Sequence, residues 1–319
     1  MKKNVLVVIP VKERHKEKLE HAGVGCTFTY SSPQEATEEM ISGAEIIIGN
    51  VPAGKIRASE RLELLQLNSA GADHYIKPEV LSDRTILTNA TGAYSKAVAE
   101  HMFAMMFMLQ KKLHLYRDAQ AQTEWTDMGE VSSITDATVV VVGLGDIGLH
   151  FARMAHALGA YTIGVKRREG KCPEGVDELY TTDRLDEVLA RADVLASFLP
   201  GTSATYHIYT KERFARMKPQ AIFLNGGRGN AVDTDVLCEA LQSGQIAAAG
   251  VDVTEPEPLP KDSPLWKQEN AMITPHISGQ YHLPETFERI VDIAAYNLEA
   301  YLGGKELKNI VDFSTGYAR

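Results

Sequence analysis

Short apolar runs alternate along the chain with longer stretches in which apolar residues recur every three or four positions. The short runs are typical of buried strands, whereas the longer stretches are typical of amphipathic helices. In the first part of the chain the predicted strands are Val5–Ile9, Cys26–Tyr30, Glu45–Gly49, Leu64–Asn68 and Thr85–Thr88. Helices are predicted at Lys12–His21 and at Pro33–Ile41, the second with Ser32 as its N-cap. This alternation predicts βα units around a parallel sheet.

A long apolar helix separates this series from a second one. The range Ala97–Leu113 is hydrophobic nearly all round, which indicates a buried connecting helix or a dimer contact. Core packing is favoured, because methionine commonly fills cores and this range contains Met102, Met105, Met106 and Met108. The strands predicted after it are Thr138–Val142, Tyr161–Val165, Val194–Leu199, Ala221–Leu224, Ile246–Val251 and Ala271–Thr274. These runs fit a doubly wound sheet, and Pro284–Leu302 is predicted to form a last helix.

Composition narrows the class of protein. The chain has 319 residues, of which 44% are hydrophobic and 24% charged, so we expect a globular α/β protein of about two domains. A net charge of −9 argues against a general nucleic-acid binder. The cysteines Cys26, Cys172 and Cys238 lack the spacing of a disulfide framework or a metal site. No apolar run is long enough to span a membrane, and we expect a soluble cytoplasmic protein without a bound metal.

A glycine motif follows the first strand of the second series. Val139–Val142 precedes Gly143-Leu144-Gly145-Asp146-Ile147-Gly148, and the helical stretch Leu149–Leu158 comes next. Between a strand and a helix this spacing predicts a dinucleotide site, with the coenzyme pyrophosphate at the helix N-terminus. The alternative is a glycine-rich turn without a ligand.

The end of the next strand bears on which dinucleotide binds. An NAD site has an acidic residue about 20 positions after the motif, where it binds the ribose hydroxyls. Here that place holds Lys166, Arg167 and Arg168, and the first carboxylate is Glu169. Three cations favour the 2′-phosphate of NADP, with NAD as the weaker alternative. A solvated basic turn is the other interpretation.

Three later strands are each followed by a polar loop with one ionisable residue of interest. Arg228 lies in Asn225-Gly226-Gly227-Arg228-Gly229, Glu257 in a proline-rich loop, and His276 in Pro275-His276-Ile277-Ser278-Gly279. Ligands of open α/β sheets bind beyond the carboxyl ends of the strands, so we expect these residues to converge beside the nicotinamide.

With these motifs in this order, the chain resembles the D-isomer-specific 2-hydroxyacid dehydrogenases, in particular NADP-preferring glyoxylate/hydroxypyruvate reductases. The resemblance extends from the segment Asn68–Asp73 to the last helix. It implies two Rossmann-like or flavodoxin-like doubly wound domains with an active-site cleft between them. The substrate domain would comprise residues 1–95 and 283–319, the coenzyme domain residues 96–282, and the protein would form a homodimer.

The resemblance also implies roles for individual residues. Arg228, Glu257 and His276 fall on the family's catalytic positions, and Ala70 and Gly71 on its second anchor for the substrate carboxylate, with Arg228 and His276 also contacting substrate. The coenzyme-binding residues that it implies are Gly143, Gly145, Asp146, Ile147, Gly148, Lys166, Arg167, Arg168, Leu199, Pro200, Thr205, Gly227, Asp252, Ser278 and Gly279. Glu100-His101 and His282 are interpreted as structural or peripheral.

The chemistry of 2-keto acid reduction suits these residue types. Histidine changes its protonation near neutral pH and can supply the proton for the forming alkoxide. A carboxylate at Glu257 would stabilise the imidazolium, and Arg228 would hold the substrate carboxylate and polarise the keto group. Formate dehydrogenases carry Gln where this chain has Glu257, which disfavours that activity. A dinucleotide-sensing interaction protein of the C-terminal-binding-protein type stays open, as does the identity of the keto acid.

Overall fold

The computed structural model describes residues 2–56, 59–316 and 318. They form two compact units, residues 1–94 with 283–319 and residues 95–282. The terminal residues Met1 and Arg319 of the predicted substrate domain lie outside the described residues. Ser95, predicted to end the first domain, instead belongs to the second unit, because it begins a helix there.

The first unit is built on a parallel sheet. Its elements up to the crossover are β1 (Asn4–Val7), α1 (Glu13–Ala22), β2 (Thr27–Tyr30), α2 (Glu38–Gly43), β3 (Ile46–Ile48), α3 (Ala53–Ile56), β4 (Leu64–Gln66) and β5 (Ile86–Thr88). The strand order is β2-β1-β3-β4-β5. Both faces of this sheet are covered: Leu6 and Ile47 lie in one apolar cluster, and Val5 and Val7 lie in another. Burial on both faces explains why β1 and β3 are apolar at nearly every position.

The second unit contains the longer sheet. Its elements are α4 (Ser95–Gln110), α5 (Leu113–Ala121), β6 (Thr138–Val142), α6 (Asp146–Ala157), β7 (Tyr161–Lys166), β8 (Glu178–Thr181), α7 (Leu185–Leu189), β9 (Val194–Ser197), α8 (Lys211–Phe214), β10 (Ile222–Asn225), α9 (Thr234–Gln242), β11 (Ala248–Val251) and β12 (Ala271–Ile273). All the strands are parallel, in the order β12-β11-β10-β9-β6-β7-β8. The last helix, α10 (Pro284–Leu302), belongs to the first unit and packs on α1.

The methionine-rich helix α4 packs inside the second unit. Met102 and Met106 are fully buried, and Met105 and Leu109 approach Gly250 of β11. Core packing, the favoured interpretation of this helix, is therefore what the structure contains. Among the described residues, no helix combines the length and apolar character that a bilayer crossing requires.

Two predicted elements need correction. The helix predicted at Pro33–Ile41 begins only at Glu38, because Thr37 is its N-cap and accepts a hydrogen bond from Met40 N at 3.2 Å. Ser32 instead caps a single turn, accepting from Glu35 N at 3.2 Å. The predicted sheet of the second series also omitted the edge strand β8, whose residues are only half-buried.

Candidate active site

The glycine motif forms a tight turn between β6 and α6. Gly143 has a φ of 91°, and a Cβ there would lie 2.7 Å from the carbonyl group of Phe198. A Cβ on Gly148 would lie 2.3 Å from Gly143 O, so these two positions require glycine for the packing of the turn itself. Gly145 differs, since a Cβ there would meet no atom within 4 Å. The space beside Gly145 is open to a ligand, at the N-terminus of a 12-residue helix that favours phosphate.

The basic segment adjoins this turn. The N–H groups of Gly143 and Leu144 donate to Val165 O at 2.9 and 3.3 Å, which joins the turn to the end of β7. Lys166 is the last residue of that strand and is half-buried, with its ammonium over Gly170. Arg167 and Arg168 follow and are exposed. The structure thus brings the predicted phosphate-binding cations beside the glycine turn.

Arg228 lies beyond the carboxyl end of β10, in a loop that Asn225 holds. The buried amide of Asn225 donates to Arg228 O at 3.0 Å and accepts from Gly227 N at 3.2 Å. A Cβ on Gly229 would lie 1.9 Å from Thr254 O, so only glycine permits this approach to the loop after β11. The Arg228 side chain is half-buried, and its Nη1 donates to Gly227 O at 2.9 Å.

Glu257 and His276 form a pair, as the sequence interpretation proposed. Nδ1 of His276 lies 2.6 Å from Oε1 of Glu257, and the two side chains are 45% and 40% exposed. The contact occupies one ring nitrogen and leaves Nε2 on the other side of the imidazole. His276 has a φ of 51°, a left-handed conformation that a residue other than glycine adopts only when its surroundings hold it.

Asp252 fixes the backbone around His276 through hydrogen bonds. Its carboxylate is 1% exposed. It accepts hydrogen bonds from Thr274 Oγ1 at 2.6 Å, Ile277 N at 3.0 Å, Ser278 N at 3.1 Å and Ser278 Oγ at 2.5 Å. Its carbonyl accepts from His276 N at 2.7 Å. Asp252 and Ser278, which are predicted to bind coenzyme, also fix the histidine loop through these contacts.

His101 was set aside as structural or peripheral, yet it reaches the same loop. From α4 its Nε2 lies 3.0 Å from Thr274 Oγ1 and 3.9 Å from Asp252 Oδ1. In the sequence, His101 is a histidine in an otherwise apolar helix, and this pattern does not predict which residue it contacts. His101 therefore contacts the histidine loop through Thr274. This contact is consistent with a structural role for His101.

The loop after β9 holds three further predicted coenzyme-binding residues. Thr205 is buried, and its hydroxyl donates to Pro200 O at 2.6 Å and accepts from Thr202 N at 2.9 Å. A Cβ on Gly227 would lie 2.5 Å from Leu199 O, so the Arg228 loop packs directly on this one. These contacts fix the shape of the loop beside the glycine turn.

The predicted carboxylate anchor lies in the first unit, beyond the carboxyl end of β4. Asn89 Nδ2 donates to Ala70 O at 2.7 Å, and Ser69 Oγ donates to Gly71 O at 2.7 Å. Both residues are half-buried. The side chains of Asn89 and Ser69 thus fix the backbone of this loop by donating to the carbonyl groups of Ala70 and Gly71.

Comparison with known proteins agrees with this geometry. A model of the NAD binding domain of D-isomer specific 2-hydroxyacid dehydrogenases matches residues 103–278. Glyoxylate/hydroxypyruvate reductase B of Shigella boydii serotype 4 is 33% identical over 292 residues, covering 88% of this chain and 89% of that protein.

Solved structures give the same relationship. A D-isomer specific 2-hydroxyacid dehydrogenase family protein from Aeromonas salmonicida is similar with a TM-score of 0.86 and 32% identity, covering 98% of this chain and all of that one. A D-isomer specific 2-hydroxyacid dehydrogenase from Xanthobacter autotrophicus, solved with NADPH and MES, has a TM-score of 0.84 and 26% identity, covering 99% and 100%. The chain therefore belongs to the D-isomer specific 2-hydroxyacid dehydrogenase family.

Proposed function

We propose that the protein reduces 2-keto acids to D-2-hydroxy acids with NADPH. The observation that carries this proposal is the 2.6 Å contact between His276 and Glu257, on a sheet that also bears a dinucleotide-type glycine turn. Arg228 follows the neighbouring strand β10 at the same edge of this parallel sheet. A proton donor and a carboxylate-binding cation are the two groups that the reaction requires of the protein.

The proposal gives each residue a role. The coenzyme, when bound, supplies the hydride that C2 of the keto acid accepts. Arg228 binds the substrate carboxylate and draws electron density from the keto oxygen, and the backbone at Ala70 and Gly71 is the second carboxylate anchor. His276 donates the proton on Nε2 to the keto oxygen as it becomes an alkoxide. Glu257 accepts from Nδ1–H, which orients the ring and stabilises its charged form.

The residues around the glycine turn fit a dinucleotide. The open space beside Gly145 accepts a pyrophosphate, and the helix that follows favours its charge. Lys166, Arg167 and Arg168 stand where a 2′-phosphate would need cations, which supports NADP over NAD. The family relative from Xanthobacter autotrophicus was solved with NADPH, in agreement with this choice.

The activity is tested by a panel of keto acids, each assayed with NADPH and with NADH. We expect turnover of at least one keto acid, with a kcat/KM for NADPH at least about ten-fold above that for NADH, because each charge-assisted hydrogen bond contributes roughly 1.5–3 kcal/mol. Glyoxylate and hydroxypyruvate enter the panel first, since the Shigella relative is named for both. Tight binding of NADPH without turnover of any keto acid would instead support a dinucleotide-sensing interaction protein.

The same proposal includes a cytoplasmic homodimer. The three cysteines are free thiols, as the cytoplasm maintains them.

The dimer contact is proposed at an exposed apolar surface. Trp125 is fully exposed, and Leu113 and Val131 are about half exposed in the same part of the chain. A second copy of the chain would remove this apolar surface from water. Sedimentation velocity at micromolar concentration tests the assembly.

A further inference from the structure

A cavity of about 630 Å³ lies in the first unit, beyond the carboxyl ends of β2, β3 and β4. Its volume falls in the roughly 300–1,000 Å³ range of small-molecule sites. Residues 50–54 form one wall, and the loop that contains His74, Tyr75 and Lys77 forms the opposite one. The role proposed above for the first unit, which is to anchor the substrate carboxylate, does not require a cavity of this size.

Hydrogen bonds join this cavity to the anchor. Asn50, which lines the cavity, donates from Nδ2 to Ser69 Oγ at 3.0 Å. Ser69 in turn donates to Gly71 O at 2.7 Å. The Asn50 wall is also fixed by Asn68, whose Oδ1 accepts from Asn50 N at 2.7 Å. A substrate held by its carboxylate at Ala70 and Gly71 would therefore have the cavity next to it.

The floor of the cavity is apolar and uncharged. Val51 and Val80 are 1% and 3% exposed. The Tyr75 hydroxyl donates to Val51 O at 2.7 Å, and burial raises the pKa of this phenol to about 12, so the ring stays neutral. Such a floor suits methylene groups.

The rim has the opposite character. His74 and Lys77 line the cavity from exposed positions, and none of the described residues that line it is acidic. Lys77 provides a positive charge at the rim. An apolar floor below a cationic rim matches a short aliphatic chain that ends in an anion.

We infer that this cavity is the side-chain subsite of the enzyme and that Lys77 selects 2-keto acids with a second, distal anionic group. The inference rests on the proposed function. The methylenes of such a substrate lie against the apolar part of the lining, which includes Pro52 and Ala53, and its distal carboxylate or phosphate lies at the Lys77 ammonium. Glyoxylate, which has no side chain, leaves the cavity unused.

The test of charge compares two substrates of similar shape. 2-Ketoglutarate ends in a carboxylate, and 5-methyl-2-ketohexanoate ends in an isopropyl group of similar size. We expect kcat/KM to favour 2-ketoglutarate, and Lys77→Met to reduce that ratio by about five-fold or more, since the ammonium is partly solvated. Lys305→Met is the matched control, because it removes the same charge from an exposed position of the same unit away from the cavity. 3-Phosphohydroxypyruvate as a third substrate tells a distal phosphate from a distal carboxylate.

The test of space uses Gly54, which lines the cavity in α3. A Cβ there would meet no atom within 4 Å, so we expect Gly54→Leu to add volume at the cavity wall without a clash that disturbs the fold. We expect the ratio of kcat/KM for 5-methyl-2-ketohexanoate to that for glyoxylate to fall about ten-fold or more, since the longer side chain loses its space. Gly54→Ala is the size control and should change this ratio little.

The outcomes separate the inference from the proposed function. No turnover of any keto acid with either coenzyme would overturn both. Two results would overturn the subsite alone, provided that glyoxylate is turned over. One is the absence of any preference for 2-ketoglutarate, and the other is a preference that Lys77→Met leaves unchanged. A preference that declines as ionic strength rises, and that Lys305→Met preserves, would support Lys77 as the selecting charge.

Discussion

Two glycines of the coenzyme turn, three residues apart, should respond to the same substitution in opposite ways. A methyl group on Gly148 would lie 2.3 Å from Gly143 O, whereas a methyl group on Gly145 would meet no protein atom within 4 Å. Gly145 also has a φ of −87° and an extended backbone, so it does not occupy the left-handed region that favours glycine. Gly148→Ala should therefore destabilise the fold, and Gly145→Ala should affect only what binds beside the turn.

The magnitudes follow from these contacts. Overpacking of this kind costs about 1–3 kcal/mol, and each kcal/mol lowers Tm by about 2–4 °C in domains of 150–250 residues. We expect Gly148→Ala to lose about 3 °C or more in the absence of coenzyme. Gly145→Ala should keep its Tm within about 1 °C or gain slightly, because alanine restricts the unfolded chain. Its NADPH affinity should fall about ten-fold or more, since the methyl group holds the pyrophosphate away from the helix N–H groups.

Scanning calorimetry without coenzyme, followed by titration calorimetry with NADPH, measures both effects on the same samples. Gly43→Ala serves as the control, because a Cβ there also meets no atom within 4 Å but lies in the first unit, away from the turn. Normal NADPH affinity in Gly145→Ala would refute the assignment of the open space to the coenzyme. A Tm of Gly148→Ala equal to that of the unaltered protein would refute the packing argument.

Four further outcomes are expected. His276→Asn should lower the rate of reduction by about 10²–10⁴-fold while NADPH still binds, as steady-state kinetics and a binding titration would establish; a loss below ten-fold would count against His276 as the acid. Arg228→Lys should lose most of its kcat/KM for keto acids despite its retained charge, because an ammonium cannot form two parallel bonds to a carboxylate; near-normal kinetics would remove it from the substrate site. Replacing Arg167 and Arg168 together by Ala should erase most of the preference for NADPH and leave NADH kinetics nearly unchanged. Trp125→Ser should shift the sedimentation coefficient towards that of the monomer, and an unchanged value would place the dimer contact elsewhere.

The repeating pattern of the chain was sufficient to predict the main strands and the parallel sheets. That pattern is strong where a strand is buried on both faces, as in Val139–Val142, and weak where a strand lies at an edge. β8 was missed for this reason: its residues Glu178–Thr181 are half-buried, pair with β7 alone and form no apolar run. The start of α2 was misplaced because Ser32 and Thr37 are both acceptable caps, and only packing decides between them.

The residues proposed to react with substrate lie in local motifs, whereas the residues that support them do not. Arg228, Glu257 and His276 each occupy a distinctive motif after a strand, so the local sequence singles them out as candidates. His101 lies 173 positions from Thr274, and no local pattern connects them. Contacts of this range arise only when α4 packs on the sheet.

Within the site, His276 and Glu257 are partly exposed, whereas Asp252, which fixes the histidine loop, is buried. The imidazole of His276 and the carboxylate of Glu257 are nearly half exposed, so that substrate and solvent can reach the proposed proton donor. The left-handed backbone of His276 costs about 1 kcal/mol or more. The exposed contact between His276 and Glu257 offsets little of this cost, because exposed ion pairs stabilise a fold only weakly. Asp252 offsets this cost from beneath, because its buried carboxylate is stabilised by donors of the histidine loop itself, namely two N–H groups and two hydroxyls. A loop that turned away would remove all four of these donors from the buried carboxylate, which is far more costly than the strain. The position of the proposed proton donor is therefore set by a residue that need not touch the substrate.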